Sequence, residues 1–466
     1  MSGPLVLGIF QRMGPGGVTG GSWRHPDDTS TGYLTLDHWT GLARRFDDAG
    51  LDFLFLADSY GYPTLHDRVI DLAVADAINF PAADPVVLVS ALAAATRRLG
   101  LVVTASTTVE KPQALARRFA TLDHLTAGRI GWNIVTGAAQ ASSARLFGEE
   151  MLPHDLRYDM AEDHVRLALS LWEDSWEDGA LRQDKAAGVY ADPARVHEIE
   201  HDGPWFRASG LLTVPPSPQR TPLLFQAGTS GRGRDFAATY AESVFLAGGD
   251  PDHVAANIAD IRRRAVERGR SPDAITFLVG AMFLAAPSAA EARAERQRML
   301  DLATLENAAA AYAFFTGLDL LSMDLDGPLQ GRTQQGQSSV DRFTGQNGAP
   351  VVTVRAVLED YRRNGVNGTV FVGDPGQVAD QAEQFVARTG ADGFLVQPYV
   401  TPGTYDALID LVLPVLRERG LARPAPSPTT PATTLRARLF GDGNDRLPAT
   451  HVGAAGRARR EPAAQA

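Results

Sequence analysis

Short, continuously apolar runs recur along this chain, separated by stretches with helical spacing, and that alternation admits few folds. A strand buried on both faces reads as an unbroken apolar run, and parallel sheets flanked by helices are built from such strands. The runs fall at 5–10, 51–56, 101–104, 129–135, 223–226, 243–246, 276–284 and 393–397. Between them, helical spacing marks 34–49, closed by Gly50, then 85–98, opened by Asp84, and 112–125, closed by Gly128. Further helices are expected from Asp252, Ser288, Pro375 and Thr404. Eight strand–helix units predict an α/β chain folded as a (β/α)8 TIM barrel.

The spacing is uneven. About 137–221, after the fourth strand, is more than one crossover helix needs, and it holds a helical stretch at 158–172 followed by a Trp-, Asp- and Gly-rich segment. A second excess, 318–351 near the seventh strand, contains QGRTQQGQSSVDRFTGQNG. A polar loop of that length is either a surface insertion or a lid over an active site. Residues 1–421 therefore form one barrel domain with two insertions. The Pro-, Ala- and Arg-rich remainder, 422–466, reads as a solvated extension that docks through 435–440 on a neighbouring subunit.

Composition narrows the chemistry. With no cysteine among 466 residues, thiolate nucleophiles, disulfides and Cys-ligated metals are excluded. A net charge of −11 repels nucleic acid and anionic membranes. The start of the chain lacks a signal-peptide pattern and no stretch is apolar enough to span a bilayer, so a soluble cytoplasmic protein is expected. The histidines form neither HExxH nor HxH, so no metal site is expected. A Ser–His–Asp reading finds no GxSxG elbow.

In a TIM barrel the active site forms at the C-terminal ends of the strands. Asp58 directly follows FLFLA, Thr104 and Ser106 follow LGLVV, and Asn133 and Thr136 lie in GWNIVTG. Each of these is equally a helix cap or a loop residue when taken alone. In QAGTSGRGRDFAATYA, 226–241, a strand ends in Gly228, Thr229 and Ser230, with a helix beginning near Arg234. Small residues let backbone N–H groups approach an anion at a helix N-terminus, which makes this segment a candidate phosphate cradle, although an unliganded glycine-rich turn reads the same way. His154 and Tyr158 stand four apart at the opening of a helix and project to one side.

Seven segments carry a family resemblance. They are WRHPD from Trp23, FLFLAD ending at Asp58, ARRFATLDHLTAGRIGWNIVT at 116–136, RYDMAEDH at 157–164, LWEDSWEDGA at 171–180, GVYADPARVHEIEHDGPWF at 188–206, and PSPQRTPLLFQAGTSGRGRDFAA at 216–238. With these motifs, over roughly 5–416, the chain resembles the bacterial luciferase-like flavin monooxygenases. The likeness is to the branch holding nitrilotriacetate monooxygenase component A and the dibenzothiophene-sulfone, dimethyl-sulfide and pristinamycin oxygenases.

The resemblance implies a TIM barrel with a long insertion. It places Asp58, Thr104, Asn133, His154 and Tyr158 around FMN, and Gly228, Thr229 and Ser230 at its phosphate. It also implies the oxygenase half of a two-component system. Reduced FMN (FMNH2), supplied by a separate NAD(P)H:FMN reductase, would react with O2 at C4a, and the resulting peroxide would oxidise a small organic substrate. A homodimer or homotetramer is expected. Arg24 and His25 are candidates for acid–base or substrate-orienting roles. The family often has Ser and Tyr after WNIVT, where this chain has Gly137, Ala138 and Ala139, and that departure bears on the substrate. The alternatives are an F420-dependent oxidoreductase of the same superfamily, a flavin-binding protein without turnover and, weakest, a metal-dependent TIM-barrel hydrolase.

Overall fold

The apolar runs become eight strands: β1 (Val6–Arg12), β2 (Phe53–Ala57), β3 (Gly100–Ser106), β4 (Ile130–Val135), β5 (Leu223–Gln226), β6 (Ser243–Leu246), β7 (Thr276–Ala285) and β8 (Gly393–Val396). The computed structural model describes residues 3–137, 139–345, 351–366, 368–427 and 429–455. Each strand pairs in parallel with the next, and β8 returns to β1 with Val6 opposite Gly393 and Ile9 opposite Val396. The eight strands therefore close into a (β/α)8 barrel, and a short further strand, Val370–Gly373, pairs in parallel with the last residues of β7. The helix expected at 85–98 is a 3-10 turn, Pro85–Leu88, running into a shorter α-helix, Val89–Ala95. Among the described residues no helix is long and apolar enough to cross a membrane.

Alternation along the strands divides the core into two shells. On β2, Leu54 and Leu56 pack outward among the surrounding helices, while Phe53 and Phe55 point inward with Val102, Phe225, Leu278 and Leu395. Gly8 makes room for this interior, since a Cβ there would stand 2.3 Å from the Phe53 ring. Towards the C-terminal end, Phe10 lies 5.9 Å from Phe55 and 6.2 Å from Phe245, ring to ring, and these three close the packed interior from above.

Both insertions are folded. The first carries helix α1 (His154–Asp174), which begins four residues before the expected 158, and two small hairpins. Helix α2 (Gly231–Tyr240) then follows β5. The second insertion places α3 (Leu305–Thr316) against α4 (Val354–Asn364), and Leu320, Leu329, Val340 and Phe343 of the polar-looking segment fill the space between them. Its glycines and glutamines hide a small apolar core. Residues 346–350 of that segment lie outside the described residues.

The C-terminal stretch departs from expectation. Instead of reaching a neighbouring subunit, 435–440 forms helix α5 (Leu435–Phe440) against this chain's own barrel, with Leu435 joining the interior cluster at the N-terminal end. Arg436 is fully buried and holds Glu242 through two bonds, Nε to Oε1 at 2.7 Å and Nη2 to Oε2 at 2.9 Å. Burial alone would push the Glu242 carboxyl up, but Arg436 outweighs it and leaves the group below its ordinary value. Composition concealed this helix because one turn carries all the apolar contact. Residues 428 and 456–466 of the expected extension lie outside the described residues.

Arg436→Ala leaves a buried carboxylate without its cation, so stability to urea is expected to fall by about 3–5 kcal/mol. A chain ending at Leu421 should be weakened at least as much. Because Glu242 is depressed in the folded state, its contribution is present at neutral pH and is lost as pH falls through its folded value. Unchanged unfolding midpoints in both variants would reduce α5 to a surface appendage.

Candidate active site

The strands deliver their last residues to one end of the barrel, where a cavity of about 360 Å³ opens above the Phe10, Phe55 and Phe245 floor. Its wall includes Asp58 from the end of β2, Thr104 from β3, and Asn133 and Thr136 from β4 and the turn beyond it. It also includes Gly228, Thr229 and Ser230 beyond β5, with His154 and Tyr158 from α1. All eight residues proposed from sequence as flavin contacts thus meet on one surface. Arg24 and His25 lie elsewhere: Arg24 bonds Asp76 and the carbonyl of Leu302, and buried His25 sits 3.1 Å from Glu295. Ser106 borders a water-sized hollow beside Asp58.

Sequence reasoning missed Gln11, Arg12 and Gln226 on the wall. The same strand-end rule would have found Gln11 and Arg12 had β1 not been ended two residues short. Residues 335–339 and Arg342 of the second insertion, and Phe314 and Phe315 of α3, complete the enclosure. A long glycine-rich loop gives no sign of which of its residues face inward.

Around β5 the geometry suits an anion. Ser230 is the N-cap of α2, accepting from Gly233 N at 3.0 Å, so the helix starts at Gly231 and not near Arg234. A Cβ on Gly228 would lie 2.3 Å from the Tyr158 hydroxyl oxygen, and one on Gly233 2.8 Å from it. The two glycines thus allow the hydroxyl, the loop backbone and the helix N-terminus to converge. Burial raises the Tyr158 hydroxyl above its ordinary value, although hydrogen bonding with Ser230 and Thr136 opposes this. His154 stacks at a tilt with its ring 5.2 Å from Tyr158.

Next along the rim, Asn133 Nδ2 donates to Thr104 Oγ1 at 2.8 Å. Asn133 Oδ1 and Gln226 Oε1 are buried without a hydrogen-bond partner among the described residues. Unmade bonds of this kind are costly unless a ligand completes them. Asp58 accepts from Ser59 N at 2.8 Å, and burial, with smaller repulsion from Asp84 and Glu110, lifts its carboxyl to about 6. Beyond β4, Gly137 has φ of 96°, and a Cβ there would fall 1.5 Å from Gln140 Nε2, so this chain's departure from the family pattern is built around a glycine. Ala138 lies outside the described residues.

The roof is held across the two insertions. Arg157 Nη2 donates to the carbonyls of Gln334 at 2.5 Å and Gln335 at 3.3 Å, and Gln334 Oε1 accepts from His154 N at 3.3 Å.

A family model for the luciferase-like monooxygenases matches residues 21–393. The chain belongs to that family. It is 37% identical to the dimethyl-sulfide monooxygenase of Hyphomicrobium sulfonivorans, over 97% of this chain and 93% of that one. It is also 37% identical to the long-chain alkane monooxygenase of Geobacillus thermodenitrificans, over 97% and 98% of the two chains. A crystal structure of a long-chain alkane monooxygenase superposes with a TM-score of 0.90, covering 98% of this chain and all of that one. A riboflavin lyase, crystallised with a modified FMN and its substrate riboflavin, reaches 0.91 at 42% identity over 97% and 99%.

Asp58 takes up its proton near pH 6 in the folded chain, against about 3.9 for an unperturbed aspartate. The folded state then binds more protons than the unfolded one between those values, so its stability contribution falls as pH rises through that window. Asp58→Asn should therefore raise stability at pH 8 by up to about 3 kcal/mol while changing little at pH 4. Denaturant unfolding at the two pH values checks this, and a gain of equal size at both would show that the charge is not responsible.

Proposed function

We propose that this chain is the oxygenase component of a two-component flavin monooxygenase, using FMNH2 from a separate NAD(P)H:FMN reductase and O2 to oxidise a small organic substrate in the cytoplasm. The observation that carries the reading is the cradle of Gly228, Ser230, Gly233 and Tyr158, set one strand away from the unpartnered oxygen of Asn133. A phosphate suits the first and a hydrogen-bonding ring edge suits the second. Reduced FMN, when bound, supplies the electrons that activate O2 for transfer of one oxygen atom.

The chain's own groups bind, orient and exclude water. The N–H groups at the start of α2, Ser230 and the Tyr158 hydroxyl would hold the phosphate, and Thr104 fixes the orientation of Asn133, whose free oxygen would meet a hydrogen-bonding group of the flavin. Asp58, poised near 6, can hold or release a proton at its carboxyl on the cavity wall. The aromatic floor and the clamped roof keep the reacting centre dry. No protein nucleophile takes part, in keeping with a chain that has no cysteine.

A second reading takes riboflavin itself as the substrate. The 42% identity to a riboflavin lyase is the observation behind it.

Anaerobic titration with photoreduced FMN, followed by mixing with 18O2 and dimethyl sulfide, hexadecane or riboflavin in turn, tests both readings. Incorporation of one 18O atom into a product of any probe supports oxygenation, and turnover of riboflavin alone favours the second reading. Ser230→Glu should abolish FMN binding by charge repulsion while leaving riboflavin, which lacks the phosphate, much less affected. Stoichiometric binding of F420 with none of FMN would overturn the proposal.

A further inference from the structure

β1 lies four strands from β5 in either direction around the ring, so its end stands across the cavity from the cradle. That end is Arg12. Its Nη2 donates to the Pro15 carbonyl at 3.0 Å, while Nη1 is buried and finds no hydrogen-bond partner. Among the described residues no carboxylate forms an ion pair with it, which sets it apart from the other arginine of the wall. Arg342 bonds the Val366 carbonyl at 2.7 Å and has Asp360 4.0 Å away.

Burial pushes the Arg12 guanidinium down to about 10, opposed by the Tyr33 hydroxyl, and at neutral pH it stays charged. A half-buried cation whose Nη1 is shut off from water and whose Nη2 meets only a neutral carbonyl is destabilised unless something else brings the countercharge. Its large neighbours on the wall include the rings of Phe10, Phe245, Phe314 and Phe315, with the amides and hydroxyls of Gln11, Asn79, Gln335 and Ser338 among the neutral polar groups between them. If flavin occupies the arc from β5 through β4 and β3 to Asp58, the space between Arg12 and these rings is what remains for the substrate.

We infer that Arg12 anchors the substrate, and that the substrate is an oxyanion, a carboxylate or a sulfonate, joined to an apolar or aromatic body. The inference rests on the proposed placement of FMN at the β5 cradle. The guanidinium fork meets two oxygens at once, while the body lies on the phenylalanines. A plain alkane or a dialkyl sulfide would leave the cation unpaired, so this wall selects against both.

The test compares 4-phenylbutyrate with its neutral isostere 4-phenylbutyramide, by calorimetry on the full chain with and without saturating FMN. Wild type should bind the carboxylate roughly tenfold more tightly or better, as expected for a hydrogen-bonded charge partner shielded from water. Arg12→Met should erase that preference while keeping amide binding and FMN affinity. Arg12→Lys should retain part of it, and its retention also guards against a folding defect in the methionine variant. Equal affinities in wild type, no carboxylate binding at millimolar concentration, or a preference that survives in Arg12→Met would overturn the inference. A matching loss of FMN affinity in Arg12→Met would overturn it as well, by assigning the cation to the flavin. If wild type binds no FMN, the proposed function fails, and the carboxylate-to-amide ratio without FMN still decides the role of Arg12.

Discussion

Everything in this molecule depends on the pairing of β8 with β1. Once Val6 meets Gly393 and Ile9 meets Val396, each of the eight barrel strands has a neighbour on both sides and the barrel itself offers no open edge. Closure in parallel also sends all eight C-terminal strand ends to one rim. Residues as distant as Arg12, Asp58, Asn133 and Ser230 become neighbours of one cavity without any of them attracting another. The interior is then filled by side chains from the Leu435 end upward until the phenylalanines of β1, β2 and β6 stop it. What lies above that stop is free to be chemical.

The barrel was legible because a strand buried on both faces needs an unbroken apolar run, and all eight runs became strands. The rim was legible for a related reason: a polar residue directly after such a run has only the rim to go to. Asp58 and Thr104 follow from that rule, whereas Asn133 lies inside its run and comes in as part of the strand-end sequence GWNIVTG. His154 and Tyr158 needed helical spacing and the family motif together, since α1 lies in an insertion that the strand pattern does not place.

Other features stayed hidden where one residue changes the outcome. Ending β1 at Phe10 and not at Arg12 removed the cation of the wall from view. In 318–351 the apolar residues Leu320, Leu329, Val340 and Phe343 are far apart in sequence and gather only once α3 and α4 stand side by side. The turn LRARLF looks like part of a basic tail until Glu242 is seen beneath it, for a buried arginine is recognisable only from its partner. Arg24 and His25 attracted notice through their family motif, yet their side chains are occupied by Asp76 and Glu295.

Arg157 bonds carbonyls and not side chains of the second insertion, and its partners stand 177 and 178 residues further along the chain. Almost any amino acid supplies the same carbonyl. Apart from Gln334 and Gln335, whose side chains also reach back to the first insertion, the segment over the cavity can therefore exchange its side chains through drift and selection while this attachment point stays fixed. Variation in what the enzyme accepts is thereby uncoupled from variation in how its cover is fastened, and a lineage can explore new molecules without first risking the fold.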